Sequence, residues 1–191
     1  MSFAPDPKVF EWLGSDFRGM PYYLKSLRLS WGRGKQEDIQ VAVQRFLEVA
    51  NRLKAEPLYW SEILRTGAWR HTLVGCVCVL LTQDDGHFQD LAFSFEQGNW
   101  VAPQIAVTMG IVYPELACQY FTDYLLSSNR ERGSKSITSA ECVLNKLGSK
   151  VDKTFEWNSA LERDEASIAV SVVENYWDFW SKFSLESIGI A

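Results

Sequence analysis

Histidine is nearly absent from this chain: two occur in 191 residues, which leaves little material for a metal site or a His-based catalytic centre. Long hydrophobic runs are missing too. The longest, 73–81 with Gly75 inside it, spans nine residues, far short of the roughly 18–20 that a bilayer crossing needs. Met1 to Asp16 holds Pro5, Pro7 and scattered charges without a continuous apolar stretch, so no secretory signal is read there. Positive charge is in deficit. With 19 Lys and Arg against 24 Asp and Glu, the net charge of −5 argues against a protein whose main task is gripping phosphate backbones. Cys76, Cys78, Cys118 and Cys142 sit among Val, Leu and Ala, where a thiol behaves as a small buried hydrophobe. A disulfide framework is unusual at this size, and the compartment reads as reducing cytoplasm.

What is present is helical periodicity. A hydrophobic content of 47% excludes a disordered or collagen-like chain, and the length suits one domain with its own core. From Gln36 to Ala55 the residues Ile39, Ala42, Val43, Phe46, Val49, Ala50 and Leu53 recur three and four apart, as one buried stripe requires. Pro57 stops that helix at Glu56. A short segment, 58–65, is followed by a helix over 68–82 whose later part is apolar all round and so belongs in mid-core. The stretch 90–96 is short enough for helix or strand. A second all-round apolar helix covers 101–112, with Pro103 in its first turn and Asn99 as its cap. Further helices are read over 115–128, 136–147 (closed by Gly148) and 164–183. No stretch sustains a two-residue alternation, so the expected fold is all-α.

One internal similarity stands out. Thr66-Gly67-Ala68-Trp69-Arg70 leads into a buried helix, and 31 residues later Gln97-Gly98-Asn99-Trp100-Val101 leads into another. A degenerate third copy begins at Gly133. A period in the low thirties is what stacked helical hairpins produce. Three parts are expected: an N-terminal irregular or short-helix segment, 1–35, packed on the array; a helical repeat core, 36–148; and an acidic, aromatic-rich helical cap, 149–191. In this scheme Trp69 and Trp100 are hairpin-packing residues.

Catalytic signatures do not emerge. Gly32-Arg33-Gly34 lacks the rest of any phosphate loop and reads as a turn. Cys76 and Cys78, two apart on a helix, diverge and cannot form a zinc pair. His71 has no local nucleophile and reads as a capping or solvent-facing side chain, while His87 reads as part of a solvated loop with Asp84 and Asp85. Charge is unevenly spread. Residues 151–191 hold eight acids and three bases, the whole net charge, whereas 1–35 hold six bases and three acids. Single-sign regions of this kind steer association with charged partners.

The buried-helix array resembles HEAT-like helical repeat proteins across 36–148. Within it, Trp69-Arg70-His71-Thr72-Leu73-Val74-Gly75 and Gly98-Asn99-Trp100-Val101-Ala102-Pro103-Gln104 look like stretches of small bacterial helical proteins, some of which resemble immunity proteins of polymorphic or contact-delivered toxin systems. The resemblance implies a small cytoplasmic, non-catalytic protein that binds and blocks one toxin through an acidic surface. The residues expected to meet the toxin's basic surface are Asp84, Asp85, Asp152, Glu156, Glu162, Asp164 and Glu165, with Trp157 as an aromatic neighbour. No catalytic residue, metal or cofactor is assigned, and neither nucleic acid nor membrane is expected as a partner. Two alternatives remain. A nucleic-acid-acting helical-repeat protein of the HEAT-like glycosylase type would need a basic groove, for which Arg65, Arg70, Arg130, Arg132 and Lys135 are few and mixed with acids. An enzyme without a recognisable motif would use carboxylates and tryptophan.

Overall fold

The stripe read over 36–55 does form the first long helix, α3 (Gln36–Ala55), in the computed structural model, which describes residues 8–15, 19–27, 36–127 and 132–186. Ala42, Val43, Phe46, Val49, Ala50 and Leu53 are wholly buried, while Val41, Gln44, Arg45 and Arg52 on the other face are exposed. Two short helices precede it, α1 (Lys8–Leu13) and α2 (Tyr22–Leu27), packed on α3 and on α5 respectively. The Gly32-Arg33-Gly34 turn and Arg130 lie outside the described residues.

Three hairpins follow. They pair α4 (Leu58–Arg65) with α5 (Trp69–Thr82), α6 (Phe88–Glu96) with α7 (Ala102–Val112), and α8 (Pro114–Ser127) with α9 (Ser134–Lys146). The segment 90–96 is helix rather than strand because Phe88, Leu91, Ala92 and Phe95 fall on one face that packs against α7 and α4. Hairpins stack so that α5, α7 and α9 lie side by side. Each of these helices is entered through a left-handed glycine: Gly67 (φ +68°), Gly98 (φ +71°) and Gly133 (φ +77°). A side chain there would be strained, so the glycines preserve the repeat as a turn geometry even where the third copy has lost its tryptophan.

The fold is all-α, and among the described residues no strand forms. Its last helix, α10 (Ala160–Trp180), packs along α9 and α7, while α3 covers α5. Both all-round apolar helices are therefore enclosed, as their composition requires: α5 is buried from His71 to Leu81 and α7 from Ala102 to Gly110. Close approach depends on two small residues. A Cβ at Gly75 would stand 2.5 Å from Leu64 Cδ2, and one at Gly110 would stand 2.7 Å from Val143 Cγ1 and 2.8 Å from Trp177 Cζ3. No described helix is long and apolar enough to cross a membrane.

Helix ends differ from the reading chiefly at α10, which also stops at Trp180 against an expected 183, at the start of α9, which is Ser134 in place of 136, and at the entry to α7. α10 starts four residues earlier than Asp164, because Ser159 and Glu162 form a reciprocal capping box. Asn99 does not cap α7, which has no capping side chain. The side-chain Oδ1 of Asn99 accepts from the Val101 N–H at 3.1 Å, and its side-chain Nδ2 donates to the hydroxyls of Thr72 (3.0 Å) and Ser94 (3.3 Å). Asn99 thus ties α5, α6 and the entry to α7 together. Gly148 behaves as read: its own N–H reaches Asn145 O and the Ser149 N–H reaches Leu144 O, closing α9.

Candidate functional site

The three left-handed glycines bring the N-termini of α5, α7 and α9 to one end of the molecule. Trp69 and Trp100, which follow two of them, meet there with ring centroids 5.4 Å apart and planes tilted by 59°. Tyr23 packs edge-on against Trp69 at 6.1 Å. The two rings pack one hairpin entry against the next, as the repeat suggested, but they do so at the surface: Trp100 is 57% exposed and Trp69 is half-buried against the core. Each carries a cation on a ring face: Arg70 Cζ lies 4.6 Å from the Trp69 centroid and Lys135 Nζ lies 5.1 Å from that of Trp100.

Beneath the aromatic pair the core turns polar. Thr72, Asn99, Gln104, Ser134, Ser136 and Ser139 are all buried in the first two turns of these helices or just before them. His71 is buried here too, at 7% exposure, and is neither a cap nor solvent-facing. Its position follows from α5 being covered on every side from its third residue onward. Burial, with the neighbouring Arg70 guanidinium adding to it, holds its pKa below the usual 6.5.

The acids read from the C-terminal region divide between this end and its surroundings. Glu165 accepts a hydrogen bond from the Ser134 hydroxyl at 2.7 Å, so the second turn of α10 sits against the start of α9. Glu162 is absorbed in the capping box. Asp152, Glu156 and Asp164 are exposed and form no ion pair among the described residues. Trp157 is half-buried and stacked on Phe155, ring centroids 6.1 Å apart. Arg163 holds this segment by donating to the Trp157 and Asn158 carbonyls. Along α10, Leu161 (69% exposed), Asp164 and Ile168 (53% exposed) share one outward face.

Asp84 and Asp85 belong elsewhere. They follow the C-terminus of α5, separated from Trp69 by the length of that helix, about 20 Å. There Asp84 caps a single 3-10 turn through the Gly86 N–H, and its carbonyl accepts from the Tyr113 hydroxyl. The expected solvated loop around His87 is instead packed. The imidazole stacks on the buried Trp60 at 4.2 Å and lies within 4.0 Å of carboxylate oxygens of Asp84 and Asp90. Burial and the nearby Asp84, Asp85 and Asp90 raise the Tyr113 hydroxyl to about 12. The physical reason is the aromatic wall: Trp60 on α4 supplies a surface on which a turn histidine buries its ring.

Among the described residues no group of three or more His, Cys, Asp or Glu could hold a metal ion. An open groove of about 520 Å³ along α8, lined by Pro114, Glu115, Cys118, Gln119, Thr122, Asp123 and Leu147, contains none of the sequence-predicted residues. The tryptophan end was missed as a site because a Gly-x-Trp repeat at helix entries reads first as structure. The available signal was the cation placed immediately after Trp69 and after Ser134, each in the first turn of a helix. Comparison with protein-family models, with curated proteins and with solved structures gave no match.

Proposed function

We propose that this chain is a non-catalytic protein-binding helical module, and most concretely that it is an immunity-type protein occluding a cognate toxin with a basic surface. The observation that carries the reading is the outward face of α10 with the segment before it. There the exposed carboxylate of Asp164 shares a face with the exposed apolar side chains Leu161 and Ile168, and the segment leading into the helix adds the exposed Asp152 and Glu156; none of the three acids forms an ion pair among the described residues. Apolar anchors supply desolvated contact area in an interface, and unpaired charges around them supply steering and partner choice. Asp84 and Asp85 drop out of this surface because they lie at the far end of α5.

The test is affinity capture of the tagged protein from its native host, compared with the triple variant Asp152→Lys, Glu156→Lys and Asp164→Lys. A single stoichiometric basic protein should be retained by the parent and lost from the triple variant. Reversing Asp84 and Asp85 should leave capture unchanged. A clean preparation carrying a metabolite or nucleic acid in place of a protein would sink the reading.

A further inference from the structure

Beside that acidic face lies a surface of opposite character whose construction costs stability. A positive charge in the first turn of a helix is repelled by the helix dipole, typically by about 0.3–1 kcal/mol. Arg70 is the second residue of α5 and Lys135 the second of α9. None of α5, α7 and α9 has an acid of its own in its first turn or a capping side chain, although at α9 the Glu165 carboxylate of α10 reaches the Ser134 hydroxyl; α5, which carries Arg70, has no such acid among the described residues. Neither cation forms an ion pair among the described residues; each is held instead over the face of an indole. Packing alone would not leave Trp100 57% exposed with Trp69 set against it. One turn beyond Lys135, on the same face of α9, Thr138 is buried and its hydroxyl has no hydrogen-bond partner among the described residues.

We infer that the end formed by Trp69, Trp100, Arg70 and Lys135 is a second docking surface, and that its occupant is an acidic segment of a partner protein. A carboxylate would meet the cations and the positive ends of α5 and α7, the start of α9 already holding Glu165, and an adjoining apolar or aromatic side chain would cover Trp100. Charge complementarity selects a peptide over a nucleic acid. Two cations make a poor track for a polyphosphate, and such a chain would run on into Asp164 and Glu165 of α10, in a protein of net charge −5. A protein segment carries both signs and can be acidic here and basic a few residues on. The inference stands on residues separate from those of the proposed toxin-binding face, so either can fail alone.

The experiment uses the whole chain with 5-fluorotryptophan at its eight Trp positions, the Trp69 and Trp100 fluorine resonances being assigned through Trp69→Phe and Trp100→Phe. The probe is the capped peptide Glu-Glu-Phe-Glu-Glu. It should shift those two resonances saturably, with half-saturation at or below about 1 mM, a free energy of about −4 kcal/mol. The paired variant Arg70→Met and Lys135→Met, which keeps the apolar stems over the rings, should weaken binding at least about tenfold. Asp164→Lys should leave it intact or tighten it. The charge-reversed control Lys-Lys-Phe-Lys-Lys, applied to the unaltered protein, should do nothing. Absence of a shift at about 5 mM peptide, or equal shifts from both peptides, overturns the inference. A ten-residue oligothymidylate moving the same resonances at lower concentration overturns it too, in favour of a nucleic acid.

Discussion

His71 shows how one side chain couples this core to pH. Its folded pKa lies below 6.5, so near and below that value the unfolded chain binds more protons than the folded one. Stability is therefore full above about pH 6.5 and declines as the pH falls toward the depressed folded value. His71→Gln should flatten that decline, visible as a smaller difference between urea midpoints at pH 7.5 and pH 5.5; an unchanged difference would assign the acid sensitivity to other groups. Asn99 acts through satisfaction rather than charge. Asn99→Ala leaves the Val101 N–H and the Ser94 hydroxyl without these partners and removes the donor to Thr72, whose own hydroxyl keeps the Ala68 carbonyl, and it should cost about 2–3 kcal/mol in urea unfolding. Coupling to Thr72→Val should be non-additive, because the two substitutions remove one shared bond. Cys76 and Cys78 are wholly buried, and burial raises the Cys76 thiol to about 12 and that of Cys78 further. Of the four thiols, only Cys118 and Cys142 should react with a disulfide reagent before unfolding; four reacting in the native protein would contradict the enclosure of α5.

At the scale of elements, the test is the close approach of α7, α9 and α10. Gly110→Ala drives a methyl into Val143 and the Trp177 ring, and overpacking of this kind costs about 1–3 kcal/mol. Combining it with Trp177→Leu should recover part of the loss, read as a less-than-additive shift in Tm. A Gly110→Ala protein as stable as the parent would mean that α10 is free to move off α7. Most elements were legible in the sequence because their signals are local. The stripe of α3, the proline before α4 and Gly148 after α9 each act within one or two turns of chain. The start of α10 differs from the expected 164 because the Ser159–Glu162 capping box lies ahead of the apolar stripe that the sequence shows. Of the three acids at 162–165, Glu162 is committed to the N-cap, Asp164 faces solvent, and Glu165 reaches across to Ser134. The segment 90–96 is ambiguous in sequence because so short a stretch satisfies either period until the packing partner is known.

For the whole molecule, the hairpin stack was foreseen from a 31-residue spacing, whereas the grouping of its surface charges was not. Asp84 and Asp164 look alike in a list of acids. Only the direction of α5 sends one to each end of the array. Trp100 likewise reads as core from its neighbours Val101 and Ala102, and becomes a surface residue because α7 begins after it turns outward. The same directional layout gives the interior two halves of different chemistry. The first two turns of α5, α7 and α9 bury hydroxyls, amides and an imidazole, whereas α5 from Leu73 onward and α9 from Ala140 onward bury almost nothing but hydrocarbon and thiol. Polar contacts exchange readily with solvent partners and hydrocarbon contacts do not, so breathing should begin at one end and travel. Amide hydrogen exchange along α5 should slow progressively from His71 to Leu80, with α7 following the same sense, so that the protein opens like a book whose spine lies beside Asp84 and whose free edge carries the tryptophans.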